Sequence, residues 1–290
     1  MEQIVLGSKM YMNNPNKGLI QWIMREFTVD NPEYAKKKKL GLKVWGTPKK
    51  VALYERHTSG TFSVPIGYFD RIMEGMEQLG LKYDIIDQRT VGVSVDYGWN
   101  ESIVLRDYQD KAINSALDRS GLVVAPAGAG KTILSMGIIR DSGVKTLWLT
   151  HTNELMNQTA SVMEKVLNEP VMKVGGGRDA FTRDGNLCVA MVQTLSRRPN
   201  LIDEINSTYG LVIVDEAHHV PSSMFQDILG KLKIKQIIGV TATPLRKDGR
   251  DYLLTGGIGD ILYKIDREIL HDGGKPVSYT HLTLPTKRIV

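Results

Sequence analysis

One stretch constrains this chain more than any other: Ala125-Pro126-Ala127-Gly128-Ala129-Gly130-Lys131-Thr132. It follows the apolar run Leu122-Val123-Val124 and precedes a helical pattern with Ile133, Leu134, Met136 and Ile138. Strand, small-residue loop and helix start form the context of a phosphate-binding loop. Few side chains obstruct such a loop, so its backbone N–H groups can close around phosphate oxygens. The following helix points its positive end at the same anion. In this pattern Lys131 reaches the β- and γ-phosphates and the Thr132 hydroxyl holds Mg²⁺. The usual pattern begins with Gly, and here Ala125 stands in that place. The plainer alternative is a glycine-rich turn that ends by chance in Gly-Lys-Thr.

A chain of 290 residues suggests about two domains, and a 42% hydrophobic fraction suffices for ordinary cores. No apolar run approaches the roughly 20 residues of a membrane span. The first residues lack the basic start and apolar run of a secretory signal. Cys188 is the single cysteine and sits in an apolar run, so it reads as a buried strand residue in a reducing compartment. The expected location is cytoplasmic, in a bacterium or a phage-infected host. The net charge of +5 invites a nucleic-acid reading. Residues 275–290, however, contain Lys275, Lys287 and Arg288 and no carboxylate. They resemble translated vector sequence and are expected to be non-native. Without them the balance is 34 basic against 32 acidic residues, so overall charge does not argue for a nucleic-acid partner.

Residues 1–100 read as a small α/β accessory domain. Strands are expected at 3–6, 61–64 and 81–86, and a helix at 17–27 that ends before Asn31-Pro32. Runs 42–45 and 51–54 flank Gly46-Thr47-Pro48 and predict a hairpin. Pro65 opens a helix whose Met-rich stripe reads as core. Lys36-Lys37-Lys38-Lys39 is either a solvated loop or helix end, or a salt-sensitive contact to a phosphate backbone. Tyr97 and Trp99 could stack on bases but read more simply as packing residues.

From residue 101 the pattern becomes strand–helix alternation. Strands are expected at 121–125, 146–150, 187–192, 211–215 and 236–241, and helices at 107–119, 133–141, 153–167 and 223–229. Such alternation predicts a mostly parallel sheet covered on both faces, with ligands at the carboxyl ends of its strands.

The second chemical signal is Leu211-Val212-Ile213-Val214-Asp215-Glu216-Ala217-His218-His219. Four β-formers end in adjacent carboxylates. If the fold sets them beside the phosphate loop, Asp215 can bind the Mg²⁺ shared with Thr132. Glu216 can then orient and deprotonate the attacking water. A paired Asp-Glu is otherwise a common surface feature, and a lone His218 is more often structural.

With these residues the chain resembles DEAH-type superfamily 2 helicases and translocases. Leu105-Arg106-Asp107-Tyr108-Gln109 resembles the adenine-recognition segment, whose Gln amide suits the N6/N7 edge. The Thr150-His151-Thr152-Asn153 stretch resembles a strand-contacting motif, and so does Val192-Gln193-Thr194. Thr241-Ala242-Thr243-Pro244 resembles the motif that couples the ATP site to the nucleic-acid groove through His218. Within the superfamily the likeness points to phage recombination helicases, xeroderma B-type repair helicases and restriction-enzyme motor subunits.

The resemblance implies a RecA-like P-loop lobe at 101–250, preceded by a DNA-touching α/β domain at 1–100. It also implies a linker from 251 to 274 towards a missing second RecA-like lobe. It assigns Lys131, Asp215 and Glu216 to catalysis. Residues Arg106, Gln109, Pro126 to Thr132 and His218 would bind ATP, and Thr132 and Asp215 would hold Mg²⁺. Thr150, Asn153 and Thr194 would contact DNA or RNA, and Thr241 and Thr243 would serve coupling. Its implied partners are nucleic acid and nuclease or repair subunits, with no membrane. Without a second-lobe arginine, worth roughly 10³–10⁵ in rate, slow hydrolysis and no unwinding are expected. The rivals are a motor without unwinding and a binding module that uses ATP only as a conformational ligand.

Overall fold

The structure is a computed structural model and describes residues 2–179, 181–182, 184–243 and 249–268. The expected non-native tail, the end of the expected linker and Pro244 lie outside the described residues.

The amino-terminal unit is built from β1 (Glu2–Leu6), β2 (Lys9–Asn13), α1 (Lys17–Glu26), β3 (Thr28–Asp30), α2 (Pro32–Lys39), β4 (Lys50–Ala52), β5 (Glu55–Arg56), β6 (Thr61–Pro65), α3 (Phe69–Gln78) and β7 (Tyr83–Asp87). Its five-stranded sheet runs β5-β6-β2-β1-β7. One face is covered by α1 and α3, which bury Leu19, Ile23, Ile72 and Met76 against Ile4, Met10, Met12 and Phe62. The hairpin expected around Gly46 does not form. Residues 50–52 pair instead with β3, antiparallel, and residues 42–45 are not a strand. Asn31 is the reason: its backbone N–H bonds Lys49 O and its side chain bonds Pro48 O, which draws the loop back onto α2.

The second unit contains α4 (Asp107–Ala116), β8 (Gly121–Val124), α5 (Lys131–Ser142), β9 (Thr146–Thr150), α6 (Asn153–Leu167), β10 (Val171–Gly175), β11 (Arg178–Asp179), β12 (Leu187–Met191), α7 (Val192–Arg197), α8 (Pro199–Thr208), β13 (Leu211–Asp215), α9 (Ser223–Leu229), β14 (Gln236–Thr241), α10 (Asp251–Ile258) and β15 (Ile261–Lys264). Among the described residues its sheet has the order β11-β10-β12-β9-β13-β14-β8-β15, parallel except for β11. The central strands are buried on both faces, as expected from their unbroken apolar runs. Cys188 is buried, and burial pushes its thiol up to about 12.

Residues 251–264 are not the linker that the sequence suggested. They form α10 and the strand β15, which completes the sheet beside β8. The amino-terminal unit also docks on α10. Tyr68 is buried and its hydroxyl donates to Tyr252 O, while Gly67 meets the backbone of 255–259 so closely that no Cβ would fit. Residues 88–95 stitch the two units together along the far side. Thr90 bridges Ile234, Ser94 bridges Val144, and Gly92 passes directly over Gly210.

Candidate nucleotide and strand-binding site

The phosphate loop follows β8. Gly128 and Gly130 have φ of 85° and 74°, the left-handed region where a Cβ is strained, and a Cβ at Gly130 would stand 2.7 Å from the Gln109 amide. Ala125 is not among the residues with positive φ. Glycine is therefore not required there, which explains why alanine is accommodated. Ala125 N–H bonds Thr241 O and ties the loop to β14. Helix α5 starts at Lys131, so its unpaired N–H groups face the loop.

Strand β13 lies two positions from β8, with β14 between them, and ends at the same edge. There the Lys131 ammonium stands 3.4 Å from Glu216 Oε1, although the two residues are far apart in sequence. Glu216 has φ of 47°. That turn aims its side chain back over the loop, and its N–H bonds Asp215 Oδ1 at 2.9 Å. The Asp215 carboxyl is held above its ordinary value, first by burial and then by the neighbouring Glu216, with Lys131 pulling the other way.

Behind Glu216 a polar chain leads away from the loop. Glu216 Oε2 lies 3.2 Å from His218 Nδ1, which lies 3.4 Å from Thr241 Oγ1. Thr241 Oγ1 in turn accepts the Thr243 N–H at 3.2 Å. The His218 ring packs against His219 at a tilt, with centroids 4.2 Å apart, and His219 packs likewise against His151, just after β9, at 4.3 Å. The sequence reading gave His151 no role, and periodicity carries no signal for such a cluster.

Beside the loop is a cavity of about 460 Å³ lined by Ile103, Arg106, Gln109, Thr132, Ile133 and Val166 among others. Its size and its mix of apolar walls with few polar groups suit a nucleobase. Gln109 is 5% exposed. Its Oε1 accepts the Arg106 N–H at 2.9 Å and its Nε2 donates to Ala129 O at 3.0 Å. The residue therefore caps α4 and braces the phosphate loop at once. The Arg106 guanidinium donates to the Tyr108 hydroxyl at 2.6 Å. Pro126 and Ala129 are buried, while Ala127 and Gly128 are exposed.

Of the three residues expected to touch a strand, Thr150 is 1% exposed and its hydroxyl has no partner, so it faces the interior and not a passing backbone. Asn153 is exposed at the start of α6, and Thr194 lies on α7, half-buried. Both border the turn Gly175-Gly176-Gly177: a Cβ at Gly176 would meet Asn153 Oδ1 at 2.3 Å, and Thr194 shares a cleft of about 510 Å³ with that turn, Arg197 and Arg198. Sequence reasoning missed this turn and the two arginines. The run of three glycines at 175–177 and, separately, the Arg197-Arg198 pair were the available signals.

A family profile described as "Type III restriction enzyme, res subunit" matches residues 102–246, half of the chain. The chain belongs to that family. The chain is similar to the DNA 3'-5' translocase XPB2 of Sulfurisphaera tokodaii, 32% identical over 165 residues, which is 57% of this chain and 36% of that protein. The probable helicase D10 of Escherichia phage T5 is 27% identical over 190 residues, 66% of this chain and 40% of that protein. The chain thus spans well under half the length of either relative. Among solved structures, the UvsW helicase from Bacteriophage T4 matches with a TM-score of 0.66 at 17% identity, covering 90% of this chain and 99% of that one. A coverage of that extent includes the amino-terminal unit as well as the Res-subunit lobe. The subgroup expected from the motifs, with its phage, xeroderma B-type and restriction-enzyme members, is the one recovered.

Proposed function

We propose that this chain binds Mg-ATP at the edge shared by β8 and β13 and serves as a lobe of an ATP-dependent helicase or translocase acting on DNA. The 3.4 Å approach of Lys131 to Glu216 is the observation that supports this most directly. Between them and Asp215 there is one cation and two carboxylates. The Asp215 carboxyl is raised first by burial and then by Glu216, and a bound divalent cation would stabilise its ionised form. Among the described residues no cluster of three or more His, Cys, Asp or Glu could hold a metal. Thr132 and Asp215 suit Mg²⁺ all the same, since that ion is commonly held by one or two protein groups and substrate phosphates.

In this reading the loop amides and Lys131 take the terminal phosphates, and Lys131 leaves Glu216 as they arrive. Glu216, still held by His218, is then free to orient a water and accept its proton. Bound Mg²⁺ would neutralise charge on the phosphate oxygens. The chain from Glu216 through His218 and Thr241 to Thr243 would relay occupancy of the ATP site to the strand cleft at Asn153, Thr194 and Gly176. A second motor lobe is the proposed source of the arginine that completes turnover, and nuclease or repair subunits are proposed partners. The chain belongs to the type III restriction enzyme res-subunit family, and no helix among the described residues is long and apolar enough to cross a membrane.

The test is Glu216→Gln. It should leave binding of a fluorescent ATP analogue with Mg²⁺ within about threefold and lower strand-stimulated phosphate release by about 10²–10⁴, the range for a lost general base. Lys131→Ala should abolish analogue binding. Retained turnover in Glu216→Gln would sink the assignment. The named translocase activity of the Sulfurisphaera relative favours a second reading, movement without unwinding. Displacement of a labelled strand by a two-lobed parent separates the two.

A further inference from the structure

The charge of this chain is concentrated in one place. Between residues 34 and 54 there are seven lysines and no carboxylate, which leaves 30 basic against 32 acidic residues elsewhere. The fold gathers these lysines into a single unit. Helix α2 presents Lys36, Lys38 and Lys39 to solvent and buries none of its residues. The segment after it turns back and is pinned to the helix: Leu42 N–H bonds Lys37 O, Lys37 Nζ donates to Thr47 Oγ1 at 2.7 Å, and Asn31 holds Pro48 and Lys49. Lys43, Lys49 and Lys50 are exposed on the returning segment.

At the apex of this segment is Trp45. The Thr47 N–H bonds Val44 O and Gly46 has φ of 75°, so Trp45 occupies the second position of a tight turn whose third residue must tolerate left-handed backbone. Its side chain is 95% exposed, with Leu40 and Leu42 also exposed nearby in the chain. The other tryptophans are packed: Trp148 is buried, Trp22 lies against Phe27, and Trp99 lies under Arg140. A large aromatic held out by a fixed turn among lysines offers a stacking surface inside a positive field. Such pairs bind single-stranded nucleic acid, because every unpaired base has a face to stack and every nucleotide a phosphate to neutralise.

The unit is also tied to the lobe. Arg250 reaches Glu33 at 3.5 Å, and a Cβ at Gly249 would stand 3.3 Å from the Pro32 ring. Residues 249–250 follow the Thr241–Thr243 segment at the carboxyl end of β14. The lysine unit is therefore anchored to residues 249–250, just ahead of α10 in the lobe.

We propose that Trp45 and the surrounding lysines form a second single-strand binding site, with Trp45 stacking on an unpaired base and Lys36, Lys38, Lys39, Lys43, Lys49 and Lys50 neutralising its backbone. The site rests on the reading of the chain as a nucleic-acid motor, and it adds a grip that the motor motifs do not supply. It takes single strands or the single-stranded arm of a junction, not a closed duplex, whose bases present no free face.

The experiment uses the full 290-residue chain, a fluorescein-labelled oligo(dT) 20-mer and a blunt duplex of the same length, read by anisotropy at several salt concentrations. Trp45→Ala should weaken the single strand about tenfold, within the range for one lost base stack. It should leave the duplex unchanged, and Trp45→Phe should recover most of the loss. Lys38→Gln with Lys39→Gln should lower the salt slope by about 1.4. The indole emission that distinguishes wild type from Trp45→Phe should be quenched by the oligonucleotide. Arg197→Ala with Arg198→Ala serves as the control in the lobe cleft. Binding that is weakened by the arginine pair and untouched by Trp45→Ala overturns this site and leaves the motor reading standing. Absence of binding to either nucleic acid by the wild type overturns both. Equal losses on strand and duplex refute stacking. A Trp45-dependent dimer in sedimentation, with strand binding unaffected by Trp45→Ala, would show instead that the surface meets protein.

Discussion

The two sheets of this molecule bury their residues differently. In the eight-stranded sheet, β8, β9 and β14 are buried at every position, because helices cover both faces. In the five-stranded sheet, β2 alternates half-buried and buried residues, because only one face meets helices. The first arrangement leaves the carboxyl ends of the strands as the place where polar side chains can gather, and Asp215, Glu216, Thr241 and the phosphate loop do so. The second leaves no such edge, and its chemistry is carried outside the sheet, on α2 and the Trp45 turn. One unit makes a site by convergence of distant residues, the other by a local run of like charge.

Each sheet packs closely against a glycine, and these glycines give a sharp test of the difference. A Cβ at Gly239 in β14 would meet Ile258 and Leu122 at 2.7 Å and Ala217 at 3.0 Å. A Cβ at Gly75 in α3 would meet the Trp22 ring first, at 2.5 Å. Gly239→Ala should cost about 1–3 kcal/mol by overpacking. Through Ala217 it should also displace Glu216 and lower nucleotide binding. Gly75→Ala should cost less, since Trp22 is half-buried and can shift, and should leave nucleotide binding alone. Urea unfolding followed by tryptophan emission, with analogue binding measured alongside, separates the two. Equal effects on binding would mean that the units are not independent in this respect.

The lobe was legible in the sequence because its signals are redundant. Unbroken runs such as 211–215 can be little else than buried strands, and the helices at 153–167 and 223–229 fall at the expected residues. The weaker strands went unread. β2 is Lys-Met-Tyr-Met-Asn, whose alternation depends on methionines that have no strong strand preference. β15 and α10 lie after the last recognised motif, where the resemblance led to the expectation of a linker towards a second lobe. Close neighbours surround three glycines there: Tyr68 at Gly256, Leu229 and Val220 at Gly257, and the backbone of Ser120 and Gly121 at Gly259. Glu216 and Lys131 could be paired from motif order. The Gln109 brace and the cluster of three histidines depend on through-space neighbours that no local pattern encodes.

A third expectation separates function from stability in the lobe. Because burial and Glu216 raise the Asp215 carboxyl, its charged form opposes folding. By linkage, that penalty is absent below the unfolded value and sets in as pH rises through the folded one. Asp215→Asn should therefore raise the melting temperature of the nucleotide-free protein at pH 7, with a smaller gain at pH 4, and abolish Mg-dependent binding of the analogue. A lower melting temperature at pH 7 would mean that Lys131 and the Glu216 N–H already compensate the charge.

The smallest effect is expected where the two units meet. Asp87, at the end of β7, accepts bonds from Arg89 at 2.8 Å and from Lys235 of the lobe at 2.6 Å. Arg89 first, and then Lys235, hold its carboxyl well below the usual range. A depressed value stabilises the folded state above the unfolded value, and that contribution is lost as pH falls towards the folded one. Docking of the units should thus weaken only in acid, and weaken with salt at neutral pH because the network is partly exposed. Asp87→Asn should cost no more than about 1 kcal/mol. It should show as faster protease cleavage within residues 88–104, with little change in melting temperature. If cleavage is unchanged, then Tyr68 on α10 and the Gly92–Gly210 crossing hold the units together without the ion pairs, and the two sheets behave as one body despite their different construction.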